Sequence, residues 1–130
     1  MPPLISVVDD DTSVRKSLDR LVRSAGLGVR LFGSAEEFLK SNQASKSDCL
    51  ILDVRLPGMS GIELHKRLGD CGHNVPVIFI TAHGSDEMAR AEAASERIVA
   101  YLIKPFSGDE LLDAVNNALQ WNASQPNQEC

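Results

Sequence analysis

Short apolar runs alternate along the chain with longer segments whose apolar residues recur at helical spacing. Three of the runs are nearly continuous and rich in β-branched residues, which is typical of strands that are covered on both faces. The run Val29–Phe32 alternates instead between apolar and polar residues, which indicates a strand at the edge of a sheet. The pattern predicts five strands, over Leu4–Val8, Val29–Phe32, Cys49–Leu52, Val77–Ile80 and Tyr101–Ile103.

The segments between the strands are predicted to be helices. Ser34 and Ser107 each stand three residues before a glutamate, which is the signature of a capping box, and Gly26 stands where a C-terminal cap is expected. The fourth helix depends on Ala, Glu and Arg, which are good helix formers, with only a thin apolar stripe. The predicted helices cover about 14–25, a short segment from Ser34, 61–68, about 85–96, and a last segment from Ser107 to about Leu119.

Strict alternation of strands and helices predicts one doubly wound α/β domain with a parallel sheet, because right-handed crossovers join parallel strands. We expect this domain over residues 1–121, followed by a polar tail or linker over 122–130. Ligands of such sheets bind at the carboxyl ends of the strands, beside the point where the strand order reverses. The strand ends are therefore the place to look for chemistry.

Four of the predicted strands end in polar residues that parallel strands would bring to one edge. The first is followed by Asp9–Asp11, the third by Asp53, the fourth by Thr81 and the fifth by Lys104. If the strand order is 2-1-3-4-5, the first and third strands are neighbours and their carboxylates face each other. Crowded carboxylates repel one another unless a cation lies between them. Oxygen ligands without His or Cys select a hard divalent ion, with Mg²⁺ first and Mn²⁺ or Ca²⁺ next.

These residue types together suit the transfer of a phosphoryl group to an aspartate. A hydroxyl and an ammonium group, from Thr81 and Lys104, supply donors for an anion. A carboxylate nucleophile beside a divalent ion completes the set. Any single aspartate after a strand would more often be a helix N-cap, but four coordinated strand ends favour a phosphoryl-transfer site.

Composition and charge narrow the class of protein. The formal net charge of −5 argues against a chain that grips nucleic acid through its phosphates. No apolar run is long enough for a transmembrane helix, and no secretory signal is apparent at the start. Three cysteines without a C-x-x-C pair suit reduced thiols in the cytoplasm better than a disulfide framework.

Four segments stand at these strand ends: Val7–Asp11, Leu52–Gly61, Ile80–Gly84 and Tyr101–Phe106. In this order and spacing they resemble the receiver domain of bacterial two-component response regulators, and the match spans about Leu4 to Leu119. The segments around Asp53 and Thr81 are most similar to the FixJ-like (nitrogen-fixation regulator) subfamily. The resemblance implies a flavodoxin-like (βα)5 three-layer sandwich with a five-stranded sheet of order 2-1-3-4-5.

The resemblance also implies a role for individual residues of the acidic cluster. Asp53 is the expected phosphoacceptor. Asp10 and Asp53 are expected to hold Mg²⁺ together with the backbone carbonyl of Arg55, while Asp9 acts through water. Asp11 is expected to cap the first helix rather than to bind metal.

On the other side of the expected site, the resemblance assigns Thr81 as the hydroxyl that follows the phosphoryl group and Lys104 as the partner of its oxygens. The Lys104–Pro105 bond is expected to be cis, which aims the ammonium group inward. Tyr101 corresponds to the aromatic switch on the output face. His83 and Arg55 are candidate modulators of how water reaches the acyl phosphate.

As partners, the resemblance implies a sensor histidine kinase and an effector domain, usually a helix-turn-helix DNA-binding domain, that is not among these residues. Homodimerisation on phosphorylation is expected through the face formed by the fourth helix, fifth strand and fifth helix. The domain itself is expected to contact neither membrane nor nucleic acid. Its only expected reactions are its own phosphorylation and autodephosphorylation, so it is not expected to be an enzyme.

Several other positions carry expectations of their own. His65 and His73 are expected to face solvent. Arg15 belongs to a basic face of the first helix, which is either solvated or a kinase-docking surface. Arg97 stands where receivers usually have glycine, so the end of the fourth helix is expected to be irregular.

Two other functions compete with the phosphoacceptor interpretation. A haloacid-dehalogenase-like phosphatase would use Asp9 as nucleophile, with Asp11 in a D-x-D pair and Asp109 as a late acidic residue. Position argues against it, because Asp109 stands in a capped helix, no cap domain is present, and Asp53 would have no role. A degenerate receiver that only binds a partner is disfavoured because all the pocket residues are present.

Overall fold

The computed structural model of the chain describes residues 2–82 and 98–124, with side chains through Trp121. The strands are β1 (Leu4–Val8), β2 (Gly28–Phe32), β3 (Cys49–Asp53), β4 (Val77–Thr81) and β5 (Ile98–Ile103). They are all parallel, in the order β2-β1-β3-β4-β5, which confirms the predicted topology and the edge position of β2. The predicted helix over 85–96 lies outside the described residues. The helices are α1 (Thr12–Ser24), α2 (Ala35–Ser41), α3 (Gly61–Asp70), a short 3-10 helix (Ala44–Lys46) and a C-terminal helix (Gly108–Ser124).

Two apolar clusters cover the two faces of the sheet. On one face, α1 and the C-terminal helix pack their buried residues, such as Leu18 and Val115, against the sheet. On the other face, α2 and α3 contribute Phe38, Leu64 and Leu68. The side chains of β3 are buried along its whole length, as expected for a central strand with helices on both sides. Each apolar side chain buried in this way contributes about 1.5–3 kcal/mol.

Capping residues begin three of the helices directly after the strand ends. Asp11 accepts hydrogen bonds from the backbone N–H groups of Ser13 and Val14, so its predicted role as the cap of α1 is confirmed. The predicted capping box at Ser107 is present, with reciprocal bonds to Glu110. At α2 only half of the predicted box forms: Ser34 accepts from the N–H of Glu37, whereas the Glu37 carboxylate accepts from the N–H of Gly33. These caps fix where each helix leaves the edge of the sheet that carries the acidic residues.

The structure corrects the expected exposure of His65, which is buried at 1% exposure. The buried residues of α3 are Gly61, Leu64, His65 and Leu68, at the spacing of one helix face. His65 therefore lies on the inward stripe, and its ring meets the Phe79 ring of β4 edge-on, with 5.7 Å between centroids. The expectation was wrong because it followed the usual exposure of histidine, whereas the helical spacing already placed this residue on the buried face.

The start of β5 and the end of the last helix differ from the predicted limits. β5 begins at Ile98, three residues earlier than predicted, and its pairing with β4 shifts register between Val77↔Ile98 and Ile78↔Ala100. The end of the predicted fourth helix, where irregularity is expected, lies outside the described residues, as does Arg97. The last helix continues to Ser124, into the predicted tail.

Candidate phosphoryl-transfer site

The carboxyl ends of β1, β3, β4 and β5 bring the predicted site residues to one edge of the sheet. Asp9 directly follows β1, Asp53 and Thr81 are the last residues of β3 and β4, and Lys104 directly follows β5. The backbone N–H of Lys104 donates to the carbonyl oxygen of Thr81 at 2.8 Å, which fixes the end of β5 against that of β4. The Lys104–Pro105 peptide bond is cis, as predicted.

The ammonium group of Lys104 joins two of the carboxylates. Its Nζ donates to Asp9 Oδ2 at 3.0 Å and to Asp53 Oδ2 at 3.1 Å. Burial pulls the pKa of Lys104 down, but its hydrogen bonds to Asp9 and Asp53 and the charges of both carboxylates raise this pKa above its usual value. Lys104 is therefore a fixed positive charge beside the candidate phosphoacceptor.

Three aspartates form a cluster around one small volume. One carboxylate oxygen from each of Asp9, Asp10 and Asp53 lies within 4.8 Å of the others. Asp9 and Asp53 are buried, whereas Asp10 is exposed at the mouth of the cluster. Burial, followed by the charge of Asp9, raises the pKa of Asp53 to about 6, although Lys104 and the N–H of Arg55 oppose the rise. The three carboxylates offer only oxygen ligands, and their negative charges repel one another. Both properties fit a hard divalent cation such as Mg²⁺, which would neutralise the charges.

Backbone groups orient the two buried carboxylates. Asp9 Oδ1 accepts from the N–H of Asp11 at 2.9 Å, and Asp53 Oδ1 accepts from the N–H of Arg55 at 3.1 Å. Each of these carboxylates therefore has one oxygen directed by its own loop and the other directed by Lys104. These directed contacts hold the carboxylate oxygens in a fixed geometry.

The switch residues predicted from the sequence lie on β4 and β5. Thr81 is buried at 1% exposure. Tyr101 pairs with Phe79 in the register of the two strands, and the rings stack with 5.9 Å between centroids. The Tyr101 ring is half-buried, and its hydroxyl oxygen is inaccessible to solvent. His83, a candidate modulator, lies outside the described residues.

Sequence reasoning missed the part that Arg15 plays at this edge. Its Nη1 donates to the carbonyl oxygen of Asp9 at 2.7 Å, and its Nη2 donates to Thr12 Oγ1 at 3.1 Å. Arg15 is half-buried and holds the turn that carries the acidic residues, so it is more than a member of a solvated basic face. Its position one turn after the Asp11 cap is the sequence signal that places its side chain near this turn.

The fold and the site define a doubly wound α/β protein with a carboxylate and lysine centre at the strand ends. A family model described as the response regulator receiver domain matches residues 5–116. The chain therefore belongs to the receiver domains of response regulators, which are signalling domains of two-component systems. This membership agrees with the resemblance found in the sequence, and the dehalogenase-like phosphatase alternative is not supported.

Individual relatives agree with this assignment. The chain is 47% identical over 112 residues to nodulation protein W of Bradyrhizobium diazoefficiens, a match that covers 86% of this chain and 49% of that protein. It is 40% identical over 116 residues to the transcriptional regulatory protein FixJ of the same organism, covering 89% of this chain and 56% of that protein. Among solved structures, response regulator StyR superposes with a TM-score of 0.86 at 46% identity, over 95% of this chain and 62% of that chain.

The chain spans about half the length of the curated relatives that it matches. The presence of FixJ among them agrees with the FixJ-like subfamily. Within the described part of the chain, no helix is long and apolar enough to cross a membrane.

Proposed function

We propose that Asp53 accepts a phosphoryl group from the phosphohistidine of a sensor histidine kinase. The contact of Lys104 Nζ with both Asp9 and Asp53, at 3.0 and 3.1 Å, is the observation that carries this proposal. It sets a fixed cation beside a buried carboxylate, where the oxygens of an incoming phosphoryl group need a positive partner. In the transfer, an Asp53 oxygen forms a bond to phosphorus while the phosphorus–nitrogen bond of the kinase histidine breaks. The electron pair of the broken bond stays on the imidazole nitrogen of the kinase, which is left as a neutral histidine once it carries a proton.

A bound Mg²⁺ would supply positive charge to the phosphoryl oxygens at this site. Asp10, Asp53 and the backbone carbonyl of Arg55 are the proposed ligands, and Asp9 is proposed to act through water. One oxygen from each of the three carboxylates lies within 4.8 Å of the others, which supports this assignment. A set of oxygen ligands also suits Mn²⁺ or Ca²⁺. Asp9 already accepts hydrogen bonds from the N–H of Asp11 and from Lys104, and these two contacts support an orienting role for this carboxylate.

The proposed output is a change on the face that includes β5 and the C-terminal helix, with Tyr101 as its switch. Relatives named as transcriptional regulatory proteins support an effector domain that acts on transcription, and cytoplasmic location is part of the same proposal. Homodimerisation on phosphorylation through this face is also proposed. The domain's own reactions would be limited to gaining and losing its phosphoryl group.

Labelling with acetyl phosphate and Mg²⁺ tests the phosphoacceptor directly. We expect one phosphoryl group per chain, labile to base and to hydroxylamine as an acyl phosphate is, and no label on Asp53→Asn. Label that persists on Asp53→Asn and disappears on Asp9→Asn would overturn the assignment and return the role of nucleophile to Asp9.

The metal assignment is tested in the absence of any phosphodonor. Mg²⁺ that binds the native state should raise the melting temperature by mass action. Asp10→Asn removes one ligand and relieves repulsion at the same time, so we expect parent-like stability without metal and a much weaker response to Mg²⁺. A Mg²⁺ titration identical to that of the parent would contradict the role of Asp10 as a ligand.

A further inference from the structure

The segment Val54–Ser60, here called the β3–α3 loop, carries the Arg55 carbonyl that is the proposed third protein ligand of Mg²⁺. Its two ends are held by backbone hydrogen bonds, from the N–H of Val54 to the carbonyl of Ile80 and from the N–H of Gly61 to the carbonyl of Val54, both at 3.0 Å. Between them, Pro57 and Gly58 are exposed. Leu56 is buried in the core, so the conformational freedom that a bound cation would have to restrict is concentrated in the exposed turn.

Glu36, in the first turn of α2, contacts the middle of this loop. Its Oε2 accepts a hydrogen bond from the backbone N–H of Met59 at 3.0 Å, across 23 positions of the sequence. The same oxygen would lie only 2.5 Å from a Cβ atom at position 58, where glycine adopts a φ of +76°. The carboxylate therefore fits directly against the backbone of this turn, and a residue with a side chain would disturb both the turn and the contact.

The helix that presents Glu36 is itself firmly anchored. Ala35 and Phe38 of α2 are buried, and the Phe38 ring packs edge-on against Phe32 of β2 with 5.2 Å between centroids. The hydrogen bond from Met59 is the first cause of a lowered pKa of Glu36, which shows that the ionised carboxylate is the form that the loop favours. Glu36 thus connects a rigid element to the exposed middle of the loop.

We propose that Glu36 is a positioning residue for the phosphoryl-transfer site, which holds the β3–α3 loop so that the Arg55 carbonyl stays in place for the divalent cation. This inference rests on the proposed function, because Arg55 is a ligand only within that proposal. Glu36 acts through Met59 and the loop backbone and does not itself touch the cation. Its loss should therefore weaken cation binding more than it slows the chemistry at saturating cation.

Three variants separate positioning from charge. Glu36→Ala removes the acceptor, so we expect the half-saturating Mg²⁺ concentration to rise about three- to tenfold, which is the equivalent of one hydrogen bond. Glu36→Gln keeps an oxygen that accepts from Met59 and should recover most of this loss. Glu37→Ala is the matched control, because it removes a charge from the same helical turn but a hydrogen bond to Gly33 instead.

The Mg²⁺ dependence is measured twice, by the melting temperature without a phosphodonor and by the initial rate of labelling with acetyl phosphate. We expect the maximal labelling rate of Glu36→Ala to stay within about twofold of the parent, and the amide of Met59 to exchange faster in that variant. Parent-like half-saturation in Glu36→Ala would overturn the inference. Equal losses in Glu36→Ala and Glu36→Gln would overturn it as well, because they would assign the effect to charge.

The two readouts keep the inference distinct from the proposed function. If the parent takes up no label, the proposed function fails, and the melting-temperature titration still decides whether Glu36 positions the cation site. If the parent is labelled on Asp53 and Glu36→Ala binds Mg²⁺ as the parent does, the positioning role fails and the proposed function stands.

Discussion

Two features of its surroundings disfavour the ionised form of Asp53: the burial of its side chain and the negative charge of Asp9. Together they raise its pKa to about 6, even though Lys104 donates to the same carboxylate. In the unfolded chain the group returns to a value near 3.8. Between these two values the folded state binds more protons than the unfolded state, so the free energy of unfolding falls as the pH rises from about 4 to about 6.

Replacing Asp53 with asparagine should remove this cost of ionisation. Without divalent cations, we expect Asp53→Asn to be more stable than the parent above about pH 6, by on the order of 1–2 kcal/mol once solvent screening is allowed for. The advantage should shrink as the pH falls towards 4, where the parent carboxyl group is protonated as well. Urea unfolding in EDTA over this pH range measures the difference.

Mg²⁺ provides the control for this prediction. Added at pH 7.5, it should stabilise the parent more than Asp53→Asn and so reduce the difference between them. If Asp53→Asn is instead less stable than the parent at pH 7.5 in EDTA, the attraction between Asp53 and Lys104 outweighs the repulsion and burial, contrary to this account.

The connection from β3 to α3 depends on the absence of a side chain at Gly61. A Cβ atom at this position would lie 2.1 Å from the backbone carbonyl oxygen of Asp53 and 3.1 Å from the Cα of Val54. Both neighbours are backbone atoms of the segment that carries the candidate phosphoacceptor, so they yield only if the loop moves. The tight approach lets α3 begin close to the end of β3.

We predict that Gly61→Ala lowers the free energy of unfolding by about 1–3 kcal/mol, the usual range for overpacking. It should also weaken Mg²⁺ binding, because the shift occurs beside Asp53. Gly28→Ala on β2 is the control, since a Cβ there would meet its nearest neighbour at 3.5 Å, an ordinary contact. Chemical denaturation and a Mg²⁺ titration of both variants test this, and equal effects of the two substitutions would contradict it.

At the scale of elements, the sequence predicts where most strands end and which side chains those ends bring together. The ends of β1, β3 and β4 follow from the change of apolar to polar residues, and parallel topology then brings Asp9, Asp53 and Lys104 together. The start of β5 was placed too late although Ile98–Ala100 continue the apolar run, and the register shift of this strand against β4 was not predictable from that run.

The contact between Glu36 and the N–H of Met59, across 23 positions, was beyond the sequence pattern. It depends on where two separate elements lie in space, which the spacing of residue types does not encode. The bond from Arg15 to the carbonyl of Asp9 is local, and the position of Arg15 one turn after the Asp11 cap was a signal that sequence reasoning overlooked. His65 was a similar case, because the spacing of Gly61, Leu64 and Leu68 already places it on the buried face of α3.

Across the whole molecule, β4 connects the candidate site to the surface around Tyr101. Thr81 ends this strand beside Asp53, and Phe79, two residues earlier, stacks on Tyr101 of β5. His65 of α3 packs against the same Phe79 ring. A displacement of the end of β4 would therefore have a route to the proposed output face through these packed aromatic rings.

The free energy needed to shift the domain between its two conformations can be compared with what each contact to the phosphoryl group would supply. A shift from a mostly inactive to a mostly active population needs roughly 3–5 kcal/mol of differential free energy. One charge-assisted hydrogen bond, from the Thr81 hydroxyl to a phosphoryl oxygen, supplies about 1.5–3 kcal/mol. Thr81 alone is therefore marginal, so we expect Lys104 to contribute as well, through a contact with the phosphoryl oxygens.

We predict that Thr81→Ala still accepts a phosphoryl group on Asp53 but loses most of the change around Tyr101. Thr81→Ser keeps the hydroxyl and is the matched control, which should change as the parent does. The readout is the set of backbone chemical shifts over residues 98–106, with and without beryllofluoride and Mg²⁺. Because the Thr81 carbonyl accepts from the N–H of Lys104 in the parent, that backbone bond at 2.8 Å is available to both variants. Parent-like shift changes in Thr81→Ala would show that the coupling bypasses this hydroxyl and reaches Tyr101 through Lys104 and β5.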